Sequence, residues 1–342
     1  MTDARATLHL PPLYTGAAVE PLLAGLDPER TVVFVDPVVR DALQRLGRPF
    51  AHVLKVGAAT AEEVTRLRAL LPALDAPALA LGGGRVLDVA KLVVRGETAD
   101  GLPRPRAGAS APLIAIPTTC GSGAEASSVA VVTVGRVKRP IVGPALRPSA
   151  IVHLPELITS LTPAQRAAGL FDAVSHLVEG GCSPLASDAH VTLAALLLPR
   201  ALGLLQTAVG WTPRDCGEAL LTATLAGAIQ DVTSVGLAHA LAHALEPGSG
   251  LGHGVLCAAF LVPVVRWNRE KSPKFDELCA RAGLAAEDTL ERLDVLASLY
   301  GFRRPPVPRS PEVVTALVRD PCARTNCRAA RPADLTRLLE TL

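Results

Sequence analysis

Five residues able to bind a metal ion are concentrated in two short stretches of this chain. Asp172 and His176 lie in Gly169-Leu-Phe-Asp-Ala-Val-Ser-His176; His239 and His243 lie in Gly236-Leu-Ala-His-Ala-Leu-Ala-His-Ala-Leu-Glu246, and His253 follows in Gly252-His-Gly254. An i,i+4 spacing puts the Asp172 carboxylate and the His176 imidazole on one helix face. Taken alone, such a pair is more often a surface hydrogen bond or a cap. His239 and His243 repeat the spacing among neighbours that are almost all apolar, so each ring needs a hydrogen-bond partner or a metal. The glycines beside His253 suggest a loop that turns and aims the ring, although an ordinary loop histidine looks the same. The whole sequence holds eight histidines, so this concentration points to one site. One carboxylate and three imidazoles suit a borderline divalent ion, Fe²⁺ or Zn²⁺, and leave positions open for a substrate oxygen.

A second chemistry is written in glycines. Leu81-Gly-Gly-Gly-Arg-Val-Leu-Asp-Val-Ala-Lys91 places three glycines where a buried strand gives way to a helix. There the backbone can approach a ligand closely, and the free N–H groups of the helix start suit a pyrophosphate. A purely structural turn has the same signature. Ile116-Pro-Thr-Thr-Cys-Gly-Ser-Gly-Ala-Glu-Ala-Ser127 also follows a strand and sets the hydroxyls of Thr118, Thr119, Ser122 and Ser127 among glycines. A capped helix start explains one such loop; two at strand ends favour a dinucleotide site. Asp36, ending the first clear strand, is placed to accept from a ribose 2′-hydroxyl, which favours NAD over NADP, and is equally an ordinary turn residue. A metal and a nicotinamide together suit hydride exchange, the ion polarising an alcohol or aldehyde oxygen.

These residues need elements to hold them. Thr31–Val35, Ala51–Lys55, Ala78–Leu81 and Leu113–Ile116 read as strands, separated by helices over Val38–Arg45, Ala61–Leu71 and from Arg85 onward. That alternation predicts an α/β nucleotide-binding domain with a mainly parallel sheet over residues 1–155. After Pro155 the apolar residues recur at helical spacing through Ala164–Val178, Ala189–Leu205, Glu218–Val232, Leu237–Leu245, Val255–Trp267, Leu290–Leu299 and Leu335–Leu342. This predicts an all-α metal-binding domain over residues 156–342. A proline-rich junction, with Pro148, Pro155 and Pro163, separates the two, and ligand is expected in the cleft between them.

Composition excludes other classes. Thirty-four basic against 32 acidic residues give a net charge of +2 with no basic run, so no nucleic-acid footprint exists. The start lacks a signal-peptide pattern, and the longest apolar stretch, Val255–Val265, is interrupted by Pro263, so no membrane span is expected. Seven cysteines without a C-x-x-C pair read as reduced thiols of a cytoplasmic protein, with Cys322 and Cys327 as bystanders.

Together these segments resemble the iron-containing (group III) alcohol dehydrogenases, within the dehydroquinate synthase-like superfamily. Gly82-Gly-Gly-Arg-Val-Leu-Asp-Val-Ala-Lys91 is similar to that family's G-G-G-S-x-x-D-x-A-K, and Pro117-Thr-Thr-Cys-Gly-Ser-Gly-Ala-Glu125 to its P-T-T-x-G-T-G-S-E. The Asp-x-x-x-His pair and the later His-x-x-x-His followed by His-Gly are also family features. The resemblance implies Asp172, His176, His239 and His253 as metal ligands, with Fe²⁺ ahead of Zn²⁺. It implies a cofactor cleft lined by Gly83, Gly84, Thr118, Thr119, Ser122 and Lys138, and Asp36, Arg85, Asp88 and Ser127 join them as expected cofactor-binding residues. It places His243 beside nicotinamide and substrate, as a proton relay or as support for His239, and it implies a homodimer.

Three positions depart from the family pattern: Arg85 replaces a serine, Leu154 replaces the aspartate of a D-P pair, and Gly252 replaces a proline. Arg85 either pairs with a phosphate or changes how the loop binds. The expected activity is NAD(P)-dependent interconversion of a primary alcohol and an aldehyde, within a specialised biosynthetic route. The alternatives are a glycerol dehydrogenase-like polyol enzyme, a dehydroquinate synthase-like cyclase or lyase, and a nucleotide-binding pseudoenzyme acting through a partner.

Overall fold

The computed structural model describes residues 8–37, 43–44, 46–71, 73, 75–99, 102–106, 108, 111–135 and 137–342. The helix expected over Val38–Arg45 falls outside these residues apart from 43–44. The chain divides into two compact units, one made of His9–Ser160 with Thr212–Gly227, the other of Leu161–Trp211 with Ala228–Leu342.

The first unit is built on strands β1 (Leu13–Thr15), β2 (Val32–Val35), β3 (His52–Lys55), β4 (Ala78–Gly82), β7 (Leu113–Pro117) and β10 (Ala150–His153). They form one sheet in the order β1-β10-β7-β4-β2-β3, with every neighbouring pair parallel. Two hairpins join β5 (Gly96–Ala99) to β6 (Leu102–Pro105) and β8 (Val129–Val134) to β9 (Val137–Val142). Side chains alternate across a strand, and here the alternation separates two apolar clusters. Val32, Phe34, Ala78, Ala80, Leu113 and Ala115 pack with Val86, Val89 and Val93 of the helix Gly84–Arg95. Val33, Val35, Leu79, Leu81, Ile114 and Ile116 pack with Val19, Leu23 and Leu157 on the other side. A parallel sheet covered on both faces reads as continuous apolar runs, which is why its strands are legible in sequence.

The second unit is helical throughout. Its central helix, Pro163–Cys182, starts on a capping box between Thr162 and Gln165 with Pro163 at the first helical position, and every residue from Leu170 to Cys182 is buried. Asp188–Thr207, Leu237–Ser249 and His253–Arg269 all contact it. The stretch Asp188–Gly210 is long and apolar enough to cross a membrane by composition, yet half of its most apolar window is buried inside the protein. Helices Lys274–Arg281, Pro311–Arg319 and Pro321–Arg324 are additions to the sequence reading.

Candidate metal and dinucleotide sites

Asp172, His176 and Glu179 occupy one face of the central helix at i, i+4 and i+7, and all three are buried. A buried charge must be paired, and the pairing comes from the next helix, Leu237–Ser249. Glu179 accepts hydrogen bonds from the backbone N–H of Ala238 at 2.7 Å and from His239 Nδ1 at 2.6 Å. The same carboxylate therefore caps the helix start, where negative charge is favoured, and orients the ring of His239. With Nδ1 turned to Glu179, His239 presents Nε2 on the other side of the ring, and that atom is buried without a hydrogen-bond partner. Gly236 makes room for this, because a Cβ there would stand 2.7 Å from Glu179 Oε1.

The i, i+4, i+7 pattern recurs as His239, His243 and Glu246. Glu246 Oε2 lies 3.2 Å from His253 Nδ1, and Asp320 Oδ2 lies 3.0 Å from His243 Nδ1. Each of these three imidazoles thus has a carboxylate behind it and its Nε2 on the opposite side of the ring, the arrangement expected of histidines held ready for a metal. His253 is not in a loop, as its flanking glycines suggest; it opens the helix His253–Arg269 with Gly252 as N-cap. Gly254 has the decisive role, since a Cβ on it would collide with the backbone carbonyl of Ala168. Its absence lets this helix approach the central one closely, one turn from Asp172.

Asp172 Oδ1 is the common point. It lies 3.7 Å from His176 Nε2, 3.4 Å from His239 Nε2 and 3.7 Å from His253 Nε2. Donors about 2.1 Å from one shared ion are separated by about 3.0 Å at octahedral and about 3.4 Å at tetrahedral angles, so these side chains need move little to hold one. Burial works against charge on Asp172, yet His176, His253 and His239 keep its carboxyl well below the usual carboxylate range. Burial also opposes protonation of His253, but Cys257 and Asp172 outweigh it and carry the ring up to about 10. The pocket demands positive charge. His243 moves the other way, because burial outweighs its bond to Asp320 and lowers its pKa.

The glycine-rich segment of the α/β unit ends β4 and opens the helix Gly84–Arg95, which has no capping side chain and no acidic residue in its first turn. Its N–H groups and positive end suit an anion. A Cβ on Gly83 would stand 3.1 Å from the Thr119 hydroxyl, and one on Gly84 2.7 Å from Ser122 Oγ. The two segments read from the sequence are therefore packed against each other, with Gly82 and Pro117 paired across β4 and β7 and Thr118 buried beside them. Asp36, just past β2, receives a hydrogen bond from Arg85 Nη2 at 2.6 Å. Asp88 and Ser127 turn inward to the fully buried Lys91: its ammonium donates to Val129 O at 2.6 Å, Ser127 Oγ at 3.1 Å and Asp88 Oδ1 at 3.4 Å, while Asp88 Oδ2 accepts from Val131 N–H at 2.9 Å. Lys138 lies in β9 opposite Thr133, its charge acting on Asp88.

Two sequence profiles cover most of the chain: one described as "Iron-containing alcohol dehydrogenase" matches residues 17–155, and one described as "Fe-containing alcohol dehydrogenase family, C-terminal" matches residues 166–305. The chain belongs to the iron-containing alcohol dehydrogenase family. Among its relatives, a 1-propanol dehydrogenase, PduQ, of Salmonella typhimurium is 29% identical over 307 residues, 82% of this chain and 80% of that protein. A phosphonoacetaldehyde reductase of Streptomyces viridochromogenes is 31% identical over 259 residues, 68% of this chain and 63% of that protein. The crystal structure of a sulfoacetaldehyde reductase from Bifidobacterium kashiwanohense in complex with NAD⁺ shares the fold, with a TM-score of 0.83 at 20% identity over 98% of this chain and 97% of that one.

Among iron-containing alcohol dehydrogenases, two of this chain's three departures have a physical account, and nothing in the structure explains Gly252. Arg85 binds Asp36. Leu154 packs against the apolar cluster of Val33, Val35 and Leu157 instead of capping the short turn Pro155–Leu157. Several residues that bond to candidate site residues or act on them electrostatically escape sequence reasoning: Glu179, Glu246, Asp320 and Cys257 in the helical unit, and Glu125 in the other. For Glu179 and Glu246 a signal existed, namely a carboxylate seven residues beyond Asp172 and beyond His239, the first member of each i,i+4 pair. Asp320 gave none, because its contact with His243 spans 77 residues.

Glu125 explains the membership of Thr212–Gly227 in the α/β unit. Thr224 donates to Glu125 Oε1 at 2.6 Å and stands 2.9 Å from His153 Nε2, so the hydroxyl accepts from that ring. Gly123, at φ +58, faces Gly227 so closely that a Cβ on either would strike the other's backbone.

Proposed function

We propose that this chain interconverts a short primary alcohol and its aldehyde, with Asp172, His176, His239 and His253 holding one divalent metal ion and His243 relaying the proton. The observation that carries this reading is the convergence of three imidazole Nε2 atoms on Asp172 Oδ1 at 3.4–3.7 Å, with Glu179 and Glu246 behind two of the rings. A bound ion supplies Lewis acidity toward the substrate oxygen, and the nicotinamide gives or takes the hydride. Fe²⁺ and Zn²⁺ both fit one carboxylate and three imidazoles.

The chain's own side chains do the rest. Glu179 and Glu246 hold Nδ1 of His239 and His253, so that Nε2 is the atom each ring would offer an ion once the ion displaces its proton. His243, neutral because burial lowers its pKa and held by Asp320, can take a proton on Nε2 and return it. Gly83, Gly84, Thr118, Thr119, Ser122 and Lys138 receive the dinucleotide phosphates and ribose, while Asp88 and Ser127 act through Lys91 to brace the loops. NAD is the favoured cofactor: Asp36 ends the second strand, where a ribose hydroxyl is bound in such sheets, and a structural relative is in complex with NAD⁺. Relatives acting on 1-propanol, phosphonoacetaldehyde and 4-hydroxybutyrate support a short substrate, with or without an anionic end. Seven cysteines, none in a disulfide and six of them buried, suit the reducing cytoplasm.

The test is a screen of short aldehydes, plain and anionic, with NADH and NADPH, run on wild type and His239→Ala loaded with iron or zinc under anaerobic conditions. Expected are net cofactor oxidation by the wild type, metal bound at one site, and a fall of about 10³-fold or more in kcat/KM with loss of metal in the variant. Equal metal content in the two proteins would sink the ligand assignment.

A further inference from the structure

Asp172, His239, His253 and Cys257 each offer one donor atom, and these four atoms lie within 4.8 Å of one another. Cys257 Sγ is 3.7 Å from Asp172 Oδ1 and 3.6 Å from His253 Nε2. Those separations match the distances of 3.4 and 3.7 Å from Asp172 Oδ1 to the Nε2 atoms of His239 and His253. A sulfur about 2.3 Å and a nitrogen or oxygen about 2.05 Å from the same ion, at tetrahedral angles, lie about 3.6 Å apart. The thiol therefore stands within bonding reach of an ion that Asp172, His239 and His253 would hold. It is fully buried, one helical turn beyond His253, and the unpartnered Nε2 of His239 belongs to the same quartet.

We propose that Cys257 is a thiolate ligand of the metal ion in this chain, making the site a mixed nitrogen, oxygen and sulfur one that prefers Zn²⁺ to Fe²⁺. The inference rests on the metal-site reading above. On coordination the thiol gives up its proton to solvent and its sulfur lone pair to the ion, with no change of oxidation state. A soft donor shifts selectivity toward zinc, whereas a carboxylate with three imidazoles does not discriminate. A buried cysteine that is only a small apolar side chain has apolar neighbours; Cys257 faces donor atoms from two helices.

Cobalt(II) separates these roles, because a thiolate bonded to it gives an intense near-ultraviolet charge-transfer band that nitrogen and oxygen ligands do not. Full-length wild type, Cys257→Ser and Cys322→Ser are loaded with cobalt anaerobically, with metal content measured alongside. Cys322 is the control because it forms a second donor group with His243 and Asp320. Expected is a band in the wild type and in Cys322→Ser that disappears in Cys257→Ser while cobalt stays bound. Cobalt bound to wild type without the band, or a band surviving in Cys257→Ser, overturns the assignment and leaves the metal site standing. A wild type that takes up no cobalt overturns both. If Cys257→Ser does not fold or load, X-ray absorption at the cobalt edge of the wild type decides. A sulfur neighbour at about 2.3 Å, with the band kept in Cys322→Ser, supports the ligand; a shell of nitrogen and oxygen alone overturns it.

Discussion

In the helical unit, the polar atoms of the site belong to side chains, and three of its rings are held by other side chains: His239 by Glu179, His253 by Glu246, His243 by Asp320. In the α/β unit the corresponding atoms belong to the backbone, and what holds them is shape: Gly83 and Gly84 against Thr119 and Ser122, and Gly123 against Gly227. The first kind of site fails when a residue type changes even if its size is kept. The second fails when a Cβ is added, whatever its chemistry.

The largest effect should come where the α/β unit borrows the other unit's device, a buried side-chain relay. Burial lowers the pKa of His153 from 6.5 to about 4. The unfolded chain takes up this proton below about 6.5 and the folded chain only near 4. Stability is thus complete above that window and is lost as pH falls through it, by up to about 3 kcal/mol. His153→Gln keeps a donor for Thr224 and removes the titration. Chemical denaturation of both proteins across the window should show a flatter pH dependence in the variant; parallel curves would refute the assignment.

Glu179→Gln sharpens the contrast on the helical side. It preserves volume but removes the charge behind His239, and metal affinity should fall about 10–100-fold with dinucleotide binding unchanged. Competition with a chelator measures the first and calorimetry the second. Gly84→Val is the mirror image: its branched side chain meets Ser122, so dinucleotide affinity should drop about tenfold while metal content stays at the wild-type value. A drop in both would show the two sites to be less separable than their construction implies. The smallest effect expected is from Arg85→Ser. Freeing the Asp36 carboxylate should move kcat/KM away from NADPH and toward NADH by about fivefold, and an unchanged ratio would remove the Arg85–Asp36 pair from cofactor choice.

The same contrast governs what the sequence reveals. Three buried strands, β2, β4 and β7, and the long helices are legible because burial selects their apolar residues, whereas the equally buried β10 escapes the sequence reading and the half-exposed β3 does not; Pro163–Cys182, expected over Ala164–Val178, differs only at its ends. Asp172, His176, His239 and His243 are legible because helical spacing puts them in register before any tertiary contact forms. What eludes sequence reasoning depends on chain segments far apart. β1 is three residues long and is specified by pairing with β10, about 140 positions later. Thr212–Gly227 reads as one more helix, and contacts such as the Gly123–Gly227 approach and the bonds of Thr224 to Glu125 and His153 assign it to the α/β unit. His253 reads as a loop residue because the helix it opens is set by the close approach at Ala168, which leaves no local mark beyond Gly254.

Glu179 caps one helix and orients a ring on it with the same two oxygens. Folding and site assembly are in consequence a single event: the helix Leu237–Ser249 cannot be properly begun while His239 points elsewhere. An arriving ion meets a cradle already set and has little reorganisation to perform, so demetallated protein should keep its architecture and reload quickly.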